Sequence, residues 1–141
     1  MTQDPFKIAA IQASPVFMDR DATVDKVCSL IAEVAERGVR LAVFPETFIP
    51  GYPDWIWFVP AGQIALNQQL YGELIDQSVT IPSPTIDKIS QAARDAGIYV
   101  SIGINERNID ASGGTLFNTN LLFDQDGTLI GRHQKLVPTV S

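Results

Sequence analysis

Cysteine and histidine are almost missing from this chain, whose 141 residues hold one of each, Cys28 and His133. A lone cysteine cannot close an internal disulfide, and one imidazole with one thiol cannot make a zinc set, so neither a metal nor a cofactor is expected. Basic residues are sparse too: ten Lys and Arg are scattered among sixteen Asp and Glu, for a net charge of −6. That balance argues against nucleic acid, whose phosphates call for clustered cations. No apolar stretch is long enough to span a bilayer, and the opening MTQDPF lacks the basic and long apolar regions of a secretory leader. No membrane partner and a cytoplasmic location are therefore expected. Low-complexity tracts, repeats and charge runs are also absent. With 45% apolar and 18% charged residues, the composition is that of a folded globular chain rather than a disordered one. A single domain over residues 1–141 of this size buries roughly two thirds of its unfolded surface.

Hydrophobic spacing supplies the order of elements. Residues 7–12 read as a short buried strand. Asp19 and Asp21 then offer capping oxygens for a helix running to about Arg37, with Val24, Val27, Cys28, Ile31, Val34 and Ala35 on its apolar face. Gly38 supplies a left-handed stop, and residues 41–44 form a second strand. This strand–helix–strand order implies parallel strands joined by a crossover. Leu66, Leu70, Leu74 and Ile75 mark a further helix, and Ser83 with Pro84 opens another whose buried face is Ile86, Ile89, Ala92, Ala93 and Ala96. Gly97 ends it, and residues 98–104, rich in β-branched side chains, form a third, parallel strand. Residues 116–123 and 128–132 flank Asp126-Gly127, the cue for a tight antiparallel hairpin. The fold class is α/β. Gly113-Gly114 reads as a flexible turn with no helix start behind it, a poor phosphate loop.

Two charged residues stand just beyond apolar strand-like runs. Glu46 lies in FPETFIPGYP and Lys135 in HQKLVPT. Open α/β sheets collect functional groups at the carboxyl ends of strands, and a carboxylate with an ammonium is a natural acid/base pair. Burial of Glu46 beside Phe44, Phe48 and Ile49 would disfavour its ionised form and poise it as a proton acceptor. The plain alternative is a solvated loop glutamate. Lys135, held among Leu136, Val137 and Pro138, would need a carboxylate nearby and could stabilise an oxyanion or an imidate-like intermediate. Its plain alternative is a surface lysine lying over a strand edge. Cys28 falls on the helix face, where a small inert thiol packs a core. For His133 a hydrogen-bonded structural role fits best, since no Ser or Cys motif offers it a nucleophile. Tyr52, Trp55, Trp57 and Phe58 can line a pocket for a small apolar substrate or equally pack a loop; a mixed outcome fits best, with Tyr52 nearest Glu46 as the substrate-binding candidate and the tryptophans divided between core and subunit contact. Glu106 can pair locally, reach a partner subunit or be solvated.

In order along the whole chain, KIAAIQASPVF, ERGVRLAVFPE, FIPGYPDW, GINERN, GTLFNTNLLFDQDG and GRHQKLVPT resemble the carbon–nitrogen hydrolase family, and more narrowly its nitrilase branch. The resemblance implies an α-β-β-α sandwich, represented here by a partial domain, and association into homo-oligomers. It implies that Glu46 is the general base and that Lys135 stabilises the tetrahedral intermediate and can donate a proton. It also implies a nucleophilic cysteine roughly one crossover unit beyond the lysine, and a second glutamate soon after the KLxPT run, both past Ser141. The expected reaction is hydrolysis of an organic nitrile to a carboxylic acid and ammonia through a cysteine thioimidate, with this stretch inactive by itself. An amidase or carbamoylase acting on an amide is the nearest alternative, and a non-catalytic half-domain that acts only in association is the other.

Overall fold

Helix formation begins where a side chain can satisfy orphan backbone donors. The computed structural model describes residues 5–110 and 112–137. In it the Asp19 carboxylate accepts a 2.9 Å hydrogen bond from the Ala22 amide and opens helix α1, Arg20–Glu36. Val24, Val27, Ile31 and Val34 make the buried stripe of α1, whereas Cys28 sits at its margin, half-buried. Gly38 follows with a φ of +73°. Helix α1 thus joins strands β1, Ile8–Ala10, and β2, Leu41–Val43, which pair in parallel with Ile8 beside Leu41.

The second crossover is longer. Helix α2, Ile64–Gln77, buries only Leu74, so the expected apolar face of Leu66, Leu70, Leu74 and Ile75 is largely uncovered, and Leu66 is exposed. Helix α3, Pro84–Ala96, starts after Ser83 as expected, but the serine hydroxyl makes no capping bond. Gly97, at φ +62°, ends α3, and strand β3, Tyr99–Asn108, runs parallel to β2. It extends past the expected limit at residue 104, because Asn105 and Glu106 remain in the ladder and are buried.

Strands β4, Thr115–Phe123, and β5, Leu129–Gln134, complete a mixed sheet of order β1-β2-β3-β4-β5, with both final pairings antiparallel. The hairpin forms where Asp126-Gly127 predicted it, but not as a two-residue turn. Residues 124–128 connect the strands, the Asp124 carboxylate accepts from the Asp126 and Thr128 amides, and a bulge follows at Leu122/Phe123. Helix α3 grips this turn: Arg94 Nε donates to the Asp126 carbonyl at 2.8 Å, and the Ser90 hydroxyl donates to that of Gly127. The Gly113-Gly114 turn is likewise tied down, by Arg107 Nε on one carbonyl and the Tyr71 hydroxyl on the other.

Alternation along the strands gives the sheet two unlike faces. Ala42, Val100, Ile102, Ile104, Leu121 and Phe123 are buried in one core with the stripes of α1 and α3, each of the side chains larger than alanine contributing about 1.5–3 kcal/mol. Ser101, Gly103, Asn118, Asn120 and His133 alternate with that set and look the other way. The fold is α/β of the sandwich type expected, and the described residues supply a sheet with helices packed on one face. Residues 138–141, including Pro138 and Thr139 of the closing motif, lie outside the described residues.

Glu106, for which local pairing, a partner subunit and solvent were the alternatives, is buried and bonded within the chain, across the sheet. Only 1% exposed, it accepts from Thr119 Oγ1 at 2.8 Å, Gln134 Nε2 at 3.1 Å, and Arg132 through both Nε, at 3.1 Å, and a terminal guanidinium nitrogen. A carboxylate taken out of water is tolerated when so fully paired. The same bond holds the Arg132 guanidinium more firmly protonated, against a smaller opposing effect of burial. Replacing Arg132 by alanine strands this carboxylate, and the Arg132→Ala protein is expected to lose on the order of 3 kcal/mol, read as a lowered urea midpoint.

Candidate active site

The turn that carries Glu46 is hung from one residue of β3. The Gly103 amide donates to the Pro45 carbonyl at 3.2 Å, and the Gly103 carbonyl accepts from the Ile49 amide at 3.3 Å. Between these bonds the chain makes an excursion in which Phe44, Phe48 and Ile49 turn into the core and Thr47 adopts a φ of +47°. A Cβ on Gly103 would lie 2.5 Å from both the Pro45 carbonyl oxygen and the Thr47 nitrogen, and 2.7 Å from Glu46 Cα. Only glycine admits so close an approach.

Packing Phe44, Phe48 and Ile49 inward leaves Glu46 pointing out. Its side chain is 48% exposed, so the expected burial beside those residues does not occur. Its Oε1 instead accepts from Asn118 Nδ2 at 2.6 Å and from Lys135 Nζ at 3.3 Å. Lys135 arrives from the end of β5, its own amide bonded to the Asn118 carbonyl at 2.8 Å. The apolar residues expected to enclose it do not, since Leu136 and Val137 are exposed and the lysine side chain is 39% exposed. At such exposure an ion pair adds at most about 1 kcal/mol of stability. What the contact fixes is position.

Arg132 and Gln134 are held to Glu106 on the helix side of the sheet, so period-two alternation turns His133 and Lys135 to the open side. There Glu46, Gly103, Asn118, Asn120, His133 and Lys135 line a cleft of about 420 Å³. The His133 side chain is exposed in this cleft and makes no hydrogen bond among the described residues, contrary to the structural role expected of it. Tyr52 does lie beside Glu46, the two lining an adjacent hollow of about 320 Å³ with Ser14, Phe17 and Asp54. Neither tryptophan enters the core: Trp57 is 55% exposed and Trp55 meets Phe17 edge-on in the surface turn Asp54–Trp57. Cys28 lies elsewhere, in a groove between α1 and α3 on the helix side. Burial, and secondarily the Asp25 carboxylate, push its thiol up, away from the reactive thiolate.

Asn118 and Gly103 were not singled out from the sequence, although both carried a signal. Glycine in the middle of a β-branched run marks a close backbone approach. The alternating asparagines of the NTN segment put two amides on one strand face.

The carbon–nitrogen hydrolase family profile matches residues 7–139. The chain belongs to this family. Similar carbon–nitrogen hydrolases include Nitrilase 3 of an unknown prokaryotic organism, 52% identical over 133 residues, or 94% of this chain and 39% of that protein. The aliphatic nitrilase of Rhodococcus rhodochrous is 47% identical over 135 residues, covering 95% of this chain and 35% of that one. The chain therefore spans well under half the length of these relatives. Among solved structures, a variant of the Nesterenkonia sp. AN1 amidase, which shows Michael addition of acrylamide at its active-site cysteine, superposes with a TM-score of 0.68 at 20% identity, over 97% of this chain and 46% of that one. At that identity the likeness concerns the fold.

For a carbon–nitrogen hydrolase built this way, Gly103→Ala is expected to push the Glu46 turn off the sheet at a cost of about 1–3 kcal/mol. Urea unfolding reads the loss, and a crystal structure of the variant should show the Glu46 to Asn118 contact broken.

Proposed function

We propose that this chain is the amino-terminal part of a single carbon–nitrogen hydrolase domain that converts an organic nitrile to a carboxylic acid and ammonia. The observation that supports it is the meeting of Glu46 and Lys135 at 3.3 Å in an open cleft. The preference for nitriles rests on the relatives named nitrilase, at 52% and 47% identity. The amidase likeness makes an amide the second substrate to try.

In this reading a cysteine thiol from a segment beyond these residues is the nucleophile, because the sole thiol present is Cys28, which lies on the helix side. Glu46 takes the proton from sulfur as sulfur bonds to the nitrile carbon, and a carbon–nitrogen π pair moves onto nitrogen. The Lys135 ammonium gives that nitrogen a proton, and the thioimidate results. Glu46 returns its proton to Lys135 through the entering water. One water then adds to the thioimidate carbon and ammonia leaves, giving a thioester, and a second water releases the acid and restores the thiol. Tyr52 borders the substrate, and His133 lies on the cleft wall. The exposed Trp57, Phe58 and Ile64 support a homo-oligomer, and the chain is placed in the cytoplasm. No described helix is long and apolar enough to cross a membrane.

In the complete protein, Glu46→Gln and Lys135→Ala are each expected to lower kcat/KM for a nitrile by about 10³-fold with the far-UV signal unchanged. Retained turnover in either variant removes the role given to that residue. Cys28→Ala is expected to keep full turnover, and the purified 141-residue chain is expected to release no ammonia from nitrile or amide. Ammonia from the isolated chain would disprove a nucleophile supplied from outside it.

A further inference from the structure

Asn118 stands between the two charged groups and touches both. Its side-chain Nδ2 donates to Glu46 Oε1 at 2.6 Å, and its backbone carbonyl accepts from the Lys135 amide at 2.8 Å. It sits in β4, paired on one side with Asn105 of β3 and on the other with the chain leaving β5. Its β3 neighbour is also fixed, the Asn105 side-chain Nδ2 donating to the Gly51 carbonyl at 2.8 Å. The donor that meets Glu46 is thus mounted on a strand held at both edges, whereas the carboxylate hangs from a turn and is half exposed.

The pattern of donation to that carboxylate is lopsided. Asn118 and Lys135 both address Oε1, and among the described residues no hydrogen bond reaches Oε2. A glutamate is broad and roughly two-fold about its last torsion, so without a fixed donor its oxygens exchange places. We infer that Asn118 is a positioning residue, one that locks Oε1 onto the lysine side and leaves Oε2 as the oxygen that receives the proton from the nucleophile. This rests on the reading of Glu46 as the base. An amide suits the task because it donates to the carboxylate without carrying a charge that would compete with Lys135. Asn118 touches no reacting atom. Its effect is to keep the accepting lone pair of Oε2 turned to the nucleophile while Oε1 stays held by Asn118 and Lys135.

The test uses the complete protein with a nitrile substrate, comparing Asn118→Ala, Asn118→Asp and Asn118→Ser with Glu46→Gln. Asn118→Ala is expected to lower kcat by about 10²-fold while leaving KM within about two-fold of the parent value. Asn118→Asp keeps the size but replaces a donor with an acceptor, and should be at least as damaging as alanine. Asn118→Ser, which restores a donor, should recover part of the lost kcat. Unfolding midpoints are read alongside, and if the alanine variant does not fold, the Asp and Ser variants carry the comparison. A kcat near the parent value in Asn118→Ala, a rise in KM with kcat unchanged, an active Asn118→Asp, or a serine variant no better than alanine would overturn the inference. If Glu46→Gln keeps its turnover, the base assignment itself falls. An inactive Glu46→Gln beside an unaffected Asn118→Ala removes only the role of Asn118.

Discussion

The absence of a side chain at Gly103 is the constraint from which the site follows. One residue of β3, Gly103, donates to Pro45 and accepts from Ile49, so both ends of the Glu46 excursion are pinned to the same point of the sheet. The loop crosses the sheet where a Cβ would strike its backbone. Having been drawn that close, it can bury Phe44, Phe48 and Ile49, and the hydrophobic gain from those side chains holds Thr47 at a positive φ that a β-branched residue does not otherwise favour. Glu46 is the residue of the turn left for solvent. The direction of the carboxylate is set by what its neighbours bury.

A second anchor works from the opposite face. Glu106 draws Arg132 and Gln134 of β5 inward, and strand alternation does the rest, sending His133 and Lys135 outward. The two ion pairs therefore have different work. Glu106 is desolvated and must be fully bonded, which makes the arrangement intolerant of deletion, although Arg132 keeps part of its side chain in water. Between Glu46 and Lys135 water screens the attraction, so the pair adds little stability and stays free to exchange protons.

Elements whose cause is local were legible in the sequence. The stripe of α1, its Asp19 cap, the Pro84 start of α3 and the parallel strands around them appear where spacing and capping put them. Glu46 and Lys135 were also found, because a charge placed just past an apolar run is a local signal. What sequence spacing missed depended on pairing across the sheet. Glu46 was expected to be buried by its apolar neighbours, yet those neighbours are buried at its expense. Asn118 gained its importance only when β4 came to lie between the Glu46 turn and β5. The aromatic run from Tyr52 to Phe58 reads as a mixture of pocket lining, core and subunit contact, but the short turn that carries its tryptophans lies on the surface, and only Tyr52 reaches the edge of the site.

Glu46 and Lys135 are separated by 89 positions in the chain. Their meeting requires β3 to lie in the sheet beside β2, β4 to be folded back on β3, and β5 to be paired with β4. Contacts so distant along the chain are slow to form, because loop-closure entropy is lost before they reward it. Formation of the charged pair therefore reports that the strands between its two members have found their places. A partly folded chain would carry both groups and still have no acid/base couple.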